Sequence, residues 1–380
     1  MAIATTWSQR TADAVMRRLP VLDERWDYKW GVVAKAMLEI GAASGDPRYF
    51  DYVKRSVDQF VDVNGTIATY ARDEFSLDFI NPGKVLFALL KETGDARYRL
   101  ALDRLRDQLR AQPRTTSGSF WHKKIYPDQM WLDGVYMASP FLAEYAATFG
   151  EPDVHRDVVR QITLAFVHTR DPRTGLLYHA VDESRTQAWA DKRSGCSRSF
   201  WARAIGWYAM ALVDVLDVLT DEAQRKTVIG ILRQTADAIV RAQDKSGVWW
   251  QVIDQGARAG NYLEQSGSCM FAYALAKGAR QGHLREAHRD SALRAYDAIL
   301  ERFVRAGPDG QIDITGCCVG TGLGGTAERD GSFEWYANRP VATNDHHGVG
   351  AFLLASVEVE RKASIEVEPK ASIGMERKAE

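Results

Sequence analysis

Residues 200–219, FWARAIGWYAMALVDVLDVL, predict a helix that is apolar on nearly all of its sides. A helix of this kind must be covered by other protein over most of its surface. Similar apolar helices are predicted at roughly 26–42, 81–93, 128–148, 263–281 and 344–358. The sequence therefore predicts six buried helices, which we call the inner helices.

Amphipathic segments alternate with the inner helices. They start at Gly45, Gly94, Gly150, Thr220 and Gly282, and an early helix at about 6–18 completes the set. Each carries apolar residues at helical spacing on one face and charged residues on the others. Six inner and six outer helices in alternation favour an all-α fold, the (α/α)6 barrel. The alternative is an open helical solenoid.

No linker divides the chain, so we expect residues 1–358 to form one domain. The remainder, 359–380, is charged, lacks aromatic residues and repeats with a period of eight, as in ERKASI at 360–365 and EPKASI at 368–373. Such a composition cannot bury enough apolar surface to fold by itself. We therefore expect this tail to be largely disordered.

Composition excludes several classes of partner. The net charge of −1 gives no overall field that would attract nucleic acid or an anionic membrane. No apolar run is long enough to span a membrane, and the N-terminus does not resemble a signal peptide. The four cysteines lack metal-ligand spacing. We expect a cytoplasmic protein that needs no cofactor or metal, and a monomer or a homodimer is equally compatible with the sequence.

In the predicted barrel, the loops that lead into the inner helices meet at one end and should form a pocket. These loops and helix starts are rich in aromatic, carboxylate and cationic side chains, a combination suited to stacking on sugar rings and binding their hydroxyls. The candidate site residues are Tyr28, Asp78, His122, Lys123, Asp133, His179, Trp201, Arg203, Trp207, His346 and His347.

Each candidate also has a structural interpretation. Asp133 lies in an otherwise apolar stretch, where it could be a first-turn residue that favours the helix dipole. Asp78 alone is better explained as a helix N-cap. Arg203 opposes the dipole at a helix start, which suggests a bound anion, although an internal salt bridge would also explain it. Loop residues such as His122 and Lys123 are usually surface groups, and the pair His346–His347 more often caps or packs than binds metal.

Seven stretches of the chain resemble the unsaturated glucuronyl and rhamnogalacturonyl hydrolases of glycoside hydrolase family 105 and its relative family 88. They are WDYKWGV, LDFINPGK, HKKIYPDQMWLDGVYMASPF, LLYHAVDES, SFWARAIGWYAMALVDVL, GCCVGTGLGG and NDHHGVGAFLLA, spread from about residue 26 to 357. The resemblance implies an (α/α)6 barrel. It also implies an enzyme that removes a 4,5-unsaturated uronic acid from the non-reducing end of lyase-generated oligosaccharides.

Family 105 chemistry begins with protonation of C4 of the unsaturated sugar, and water then adds to C5. The resemblance assigns both proton transfers to Asp133 and makes Asp78 the second essential carboxylate. Six further candidates match positions around the sugar: Tyr28, Lys123, His179, Trp201, Arg203 and Trp207. We expect His122, His346 and His347 to contribute to sugar binding as well. The expected substrate is unsaturated galacturonyl-rhamnose from rhamnogalacturonan, a step in pectin degradation. Unsaturated glucuronate from ulvan or arabinogalactan fits the same motifs.

Two other functions are compatible with the residues. An ordinary inverting glycosidase would use two carboxylates about 6.5–9.5 Å apart, such as Asp133 with Glu264 or Asp78. A sugar-binding or scaffold protein would need no catalysis.

A general acid at neutral pH needs a raised pKa. The apolar neighbours of Asp133 and the nearby Asp78 would raise its pKa, whereas the helix N-terminus would lower it.

Overall fold

The computed structural model describes residues 5–365, and twelve long helices of this part form two rings. The outer helices are α1 (Trp7–Arg18), α3 (Pro47–Asp58), α5 (Ala96–Ala111), α7 (Val154–Thr169), α9 (Glu222–Arg241) and α11 (Glu286–Phe303). The inner helices are α2 (Tyr28–Ser44), α4 (Lys84–Thr93), α6 (Leu132–Phe149), α8 (Ala202–Val215), α10 (Gln265–Arg280) and α13 (His346–Ile365). A short helix, α12 (Phe333–Ala337), lies in the last long loop.

The inner helices form a closed ring. Each one contacts the next along the chain, and α13 packs against α2 to close the circle. This closure confirms the (α/α)6 barrel and excludes the open solenoid. All residues of α8 are buried, whereas α5 buries an apolar stripe that includes Leu102, Leu105 and Leu109. The contrast follows from position, because an inner helix is covered on every side and an outer helix on one.

Within residues 5–365, three short antiparallel strand pairs connect the loops at the end of the barrel where the inner helices begin. They are β1 (Gln129–Trp131) with β2 (Ala180–Asp182), β3 (Val304–Ala306) with β4 (Ile312–Ile314), and β5 (Cys317–Cys318) with β6 (Val341–Ala342). The helix predicted from residue 128 therefore starts only at Leu132, because 129–131 pair with 180–182.

The last inner helix extends beyond the domain boundary predicted after residue 358. Helix α13 continues to Ile365, so the first residues of the predicted tail are helical. Two contacts hold this extension: Glu360 accepts hydrogen bonds from the backbone N–H of Ser8, and Arg361 lies 3.0 Å from Glu39. The rest of the predicted disordered tail, 366–380, lies outside the described residues, as do residues 1–4.

A layer of charged residues fills the barrel toward the C-terminal ends of the inner helices. Asp214 of α8 lies 2.7 Å from Lys277 and 3.5 Å from Lys35. Burial raises the pKa of Glu144, on α6, to about 7. The charges of Lys35 and Asp214 also act on this carboxyl group. Ionised Glu144 is therefore a cost to the fold, because a buried carboxylate prefers to be neutral.

This cost predicts a pH-dependent stability. The pKa of Glu144 is higher in the folded than in the unfolded chain, so its effect appears as the pH rises from about 4.5 to 7. We expect Glu144→Gln to raise the melting temperature at pH 8 by a few degrees, which corresponds to about 1–2 kcal/mol. At pH 5 the two proteins should melt together. The exposed Glu92 of α4 gives a control, since Glu92→Gln should change neither value. An equal effect of Glu144→Gln at both pH values would contradict this explanation.

Candidate active site

Asp133 lies in the first turn of α6, at the open end of the barrel. Strands β1 and β2 bring it next to His179: the backbone N–H of Leu132 donates to the His179 carbonyl, and His179 Nε2 lies 3.1 Å from Asp133 Oδ2. The Asp133 side chain is 15% exposed and His179 is fully buried. A carboxylate with one accessible edge and a fixed imidazole behind it can exchange a proton with a bound molecule.

His179 is held by aromatic side chains from three loops. Its Nδ1 lies 2.8 Å from the Tyr336 hydroxyl, and its ring packs 5.1 Å from Trp131 and 4.8 Å from Trp201 between ring centres. Tyr336 was not among the residues predicted from the sequence. It lies on α12, more than 150 residues further along the chain. Only the folding of the last long loop brings it to the site.

The pKa of Asp133 is lowered, not raised. Burial by itself would raise it, but His179 and, less strongly, His122 favour the ionised carboxylate more. Burial lowers the pKa of His122 to about 4, so His122 is neutral at pH 7 and His179 is the neighbour that matters there. In the free protein Asp133 is therefore a carboxylate.

Asp78 lies in a 3₁₀ turn, Leu77–Phe79, and caps no α-helix of the described chain, so the N-cap interpretation is wrong. Its Oδ2 lies 2.6 Å from Lys123 Nζ and its Oδ1 lies 3.6 Å from His122 Nε2. Burial would raise the pKa of Asp78, but Lys123 and His122 outweigh it and keep the pKa low. Asp133 also acts on Asp78 through its charge, which places both carboxylates in one site.

His122 and Lys123 are not ordinary surface groups. The His122 side chain is 4% exposed and stacks on Trp131 with ring centres 4.8 Å apart. A Cβ on residue 134 would lie 3.0 Å from His122 Nδ1, so Gly134 lets the imidazole approach the start of α6. Lys123 is more accessible, at 28%.

Tyr28 forms a further wall of the site, and the buried Trp207 packs behind it. Their rings meet edge to face with centres 6.2 Å apart, and Asp78 and Asp133 both act on the Tyr28 hydroxyl through their charge. The Tyr28 hydroxyl lies 2.6 Å from His347 Nε2. His347 is 2% exposed, so it supports Tyr28 from behind the wall.

Arg203 is buried beneath the Trp201 ring and donates a hydrogen bond of 2.6 Å to the Cys318 carbonyl. No acidic side chain among residues 5–365 lies within ion-pair distance of it, so the salt-bridge interpretation is not supported. Its Nε and Nη2 atoms have no hydrogen-bond partner within the same part of the chain. Both atoms are buried, so the structure shows unpartnered donors here but no open path for an anion to reach them.

His346 is the one candidate that is separate from the others. It is partly buried, its pKa is lowered by that burial, and the charges that act on it are Asp23, Asp345, Lys29 and Asp27. Successive residues of a helix point about 100° apart. His347 therefore faces the interior and His346 faces the rim.

Removing His179 should change the pH dependence of activity. Without this neighbour burial dominates, and the pKa of Asp133 rises. Since a general acid must be protonated in the complex with substrate, we expect His179→Ala to shift the alkaline limb of kcat, which reports the bound state, to higher pH and to lower its maximum by about tenfold. A profile with unchanged limbs would show that His179 does not set the protonation of Asp133.

Neither a metal-ligand cluster nor a membrane-spanning helix occurs among the described residues. No group of three or more His, Cys, Asp or Glu side chains in residues 5–365 is arranged to hold a metal ion. In the same range, no helix is long and apolar enough to cross a membrane.

Comparisons with known proteins agree with the geometry. Residues 2–363 match the model of Glycosyl Hydrolase Family 88. A family 105 glycoside hydrolase from C. acetobutylicum is 42% identical and superposes with a TM-score of 0.91, covering 93% of this chain and 99% of that chain. Protein Atu3128 of Agrobacterium fabrum is 41% identical over 228 residues, 58% of this chain and 97% of that protein. The unsaturated rhamnogalacturonyl hydrolase YesR of Bacillus subtilis is 28% identical over 270 residues, 69% of this chain and 74% of that protein. The chain therefore belongs to glycosyl hydrolase family 88 and its relative family 105, the unsaturated uronyl hydrolases.

Proposed function

We propose that this protein removes 4,5-unsaturated galacturonic acid from rhamnose at the non-reducing end of rhamnogalacturonan fragments. The similarity to the unsaturated rhamnogalacturonyl hydrolase YesR supports this choice of substrate. The observation that carries the chemistry is Asp133, fixed 3.1 Å from His179 at the open end of the barrel. The cytoplasmic location, the role in pectin degradation and the single catalytic domain stay predictions.

The reaction begins with the transfer of a proton from Asp133 to C4. The positive charge that develops at C5 is shared with the ring oxygen, and a water molecule adds to C5 while Asp133 takes back a proton. The resulting hemiketal opens between C5 and the ring oxygen, and the bond from C1 to the rhamnose oxygen then breaks. No nucleophile attacks the anomeric carbon C1.

The lowered pKa of Asp133 in the free protein is compatible with this step. A bound uronate brings its own carboxylate close to Asp133 and displaces water, and both changes raise the pKa of a neighbouring carboxyl group. Substrate binding thus favours the protonated form of Asp133, which is the form that can donate to C4. Asp78, paired with Lys123, stays ionised and can accept a hydrogen bond from the attacking water.

The inverting-glycosidase alternative loses one of its two carboxylate pairs. Glu264 is fully buried at the start of α10, where it accepts hydrogen bonds from Ser266, from the backbone N–H of Gly267 and from that of Cys318. These contacts make it a helix cap. A general acid or base needs access to the substrate, which Glu264 lacks.

A panel of lyase-generated disaccharides tests the substrate. Unsaturated galacturonyl-rhamnose should be consumed with the highest kcat/KM, measured by loss of the ultraviolet absorbance of the enol ether. Unsaturated glucuronyl disaccharides from ulvan and arabinogalactan are the competing substrates. A higher kcat/KM on either of these would replace galacturonate in the proposal and keep the mechanism.

A further inference from the structure

Asp345, His347 and Tyr28 form a chain of hydrogen bonds that ends at the wall of the pocket. Asp345 Oδ1 lies 2.6 Å from His347 Nδ1, and His347 Nε2 lies 2.6 Å from the Tyr28 hydroxyl. These hydrogen bonds link the start of α13 to the start of α2, two helices that pack against each other. His347 is buried and Tyr28 is partly exposed, so only the tyrosine end can meet a ligand.

We propose that Asp345 and His347 fix the polarity of Tyr28, so that its oxygen is a hydrogen-bond acceptor for one hydroxyl group of the unsaturated sugar. Asp345 and His347 are then positioning residues, and Tyr28 selects the orientation of the sugar. The proposal rests on the proposed function, because it takes the unsaturated uronate as the ligand.

The polarity follows from the direction of each hydrogen bond. The pKa of Asp345 is lowered to about 2, so this ionised carboxylate only accepts, and His347 Nδ1 must carry the hydrogen. Burial, with Arg203 nearby, lowers the pKa of His347 to about 4, so its Nε2 carries none at pH 7. Tyr28 must therefore donate its one hydrogen to Nε2, and its oxygen offers only lone pairs to the pocket.

An acceptor at this wall distinguishes the edges of the sugar. In a 4,5-unsaturated uronate, C4 and C5 carry no hydroxyl group and C6 is a carboxylate, so the O2 and O3 hydroxyls are the only donors on the ring. The carboxylate gains nothing from Tyr28, since two acceptors facing each other leave both unsatisfied. Tyr28 therefore favours a pose in which O2 or O3 faces α2 and the carboxylate faces elsewhere.

The first test combines enzyme variants with modified substrates. We expect Tyr28→Phe to lower kcat/KM on the parent disaccharide by about tenfold. On either the 2-deoxy or the 3-deoxy disaccharide, the one that lacks the contacted hydroxyl, the same substitution should cost less than twofold. Tyr98 of α5, whose hydroxyl donates to Asp58, provides a matched control, and Tyr98→Phe should leave kcat/KM unchanged on all three substrates. Equal losses for Tyr28→Phe on all three would overturn the proposal.

The second test separates Asp345 from general structural support. Asp345 Oδ1 also accepts the backbone N–H of His347, so an amide would keep its oxygen in this place and leave the hydrogen on Nδ1. Asp345→Ala instead removes the acceptor that holds the hydrogen on Nδ1. It should lower kcat/KM by about tenfold in the otherwise wild-type enzyme, mainly through KM, and cause no further loss in Tyr28→Phe. If the loss in the double variant equals the product of the two single losses, the proposed coupling of Asp345 to Tyr28 is contradicted.

A third measurement needs no substrate and thus separates this inference from the proposed function. Nitrogen NMR of the imidazole, assigned by comparison with His347→Gln, should show hydrogen on Nδ1 and none on Nε2 at pH 7. Hydrogen on Nε2 would overturn the inference even if every unsaturated disaccharide is cleaved. Failure to cleave any of them would refute the function alone, and the tautomer would still be decided.

Discussion

Asp133→Asn should lower kcat/KM by roughly 10³–10⁴-fold, because an amide cannot deliver a proton to C4. The substitution keeps the size of the side chain and its place in the first turn of α6. The fold should survive, since the variant loses only a helix-dipole interaction worth about 0.5 kcal/mol and one contact to His179. Steady-state kinetics on an unsaturated disaccharide and a thermal melt measure the two effects separately.

Glu144→Gln is the matched control for this variant. It makes the same chemical change on the same helix, near the opposite end of α6. Its kcat/KM should equal that of the wild type at pH 7. Turnover by Asp133→Asn within tenfold of the wild type would refute the assignment of the proton donor.

Asp78→Asn should be the second most damaging change, with a loss of roughly 10²–10³-fold in kcat/KM. The variant removes the acceptor for water and leaves the Lys123 cation without its partner at 2.6 Å. It also removes a charge that raises the pKa of His122, so His122 becomes even harder to protonate. The pH profile should therefore show no new limb from His122 above pH 5.

Asp128→Asn makes the same change in the loop that leads to β1. Asp128 has a left-handed backbone with φ of 57°, a conformation that Asn tolerates well. This control should keep nearly full activity. Similar losses in Asp78→Asn and Asp128→Asn would mean that negative charge near the pocket, and not the position of Asp78, matters.

The architecture of the barrel was predictable because it depends on local patterns. A segment such as 200–219 is apolar on every side, and only a covered position allows that. The alternation of such segments with amphipathic ones then gives the two rings. Tertiary pairing overrode the local pattern in one case, where residues 129–131 join a strand and delay the start of α6.

The protonation of the site could not be predicted, because the decisive neighbours come from distant segments. The apolar sequence around Asp133 suggested a raised pKa, yet His179 reaches it through a strand pair of three residues, too short to leave a periodic signal. In the same way, the sequence could not show which histidine of the pair at 346–347 faces inward, or that Asp345 fixes it.

The central claim is that the bond is broken by hydration of C4=C5. The most direct measurement compares one disaccharide with and without this double bond, following enol-ether absorbance and release of the second sugar together. We predict that the unsaturated form loses its absorbance in step with sugar release and that the saturated form stays intact. Cleavage of the saturated form, or sugar release while the absorbance persists, would contradict the claim.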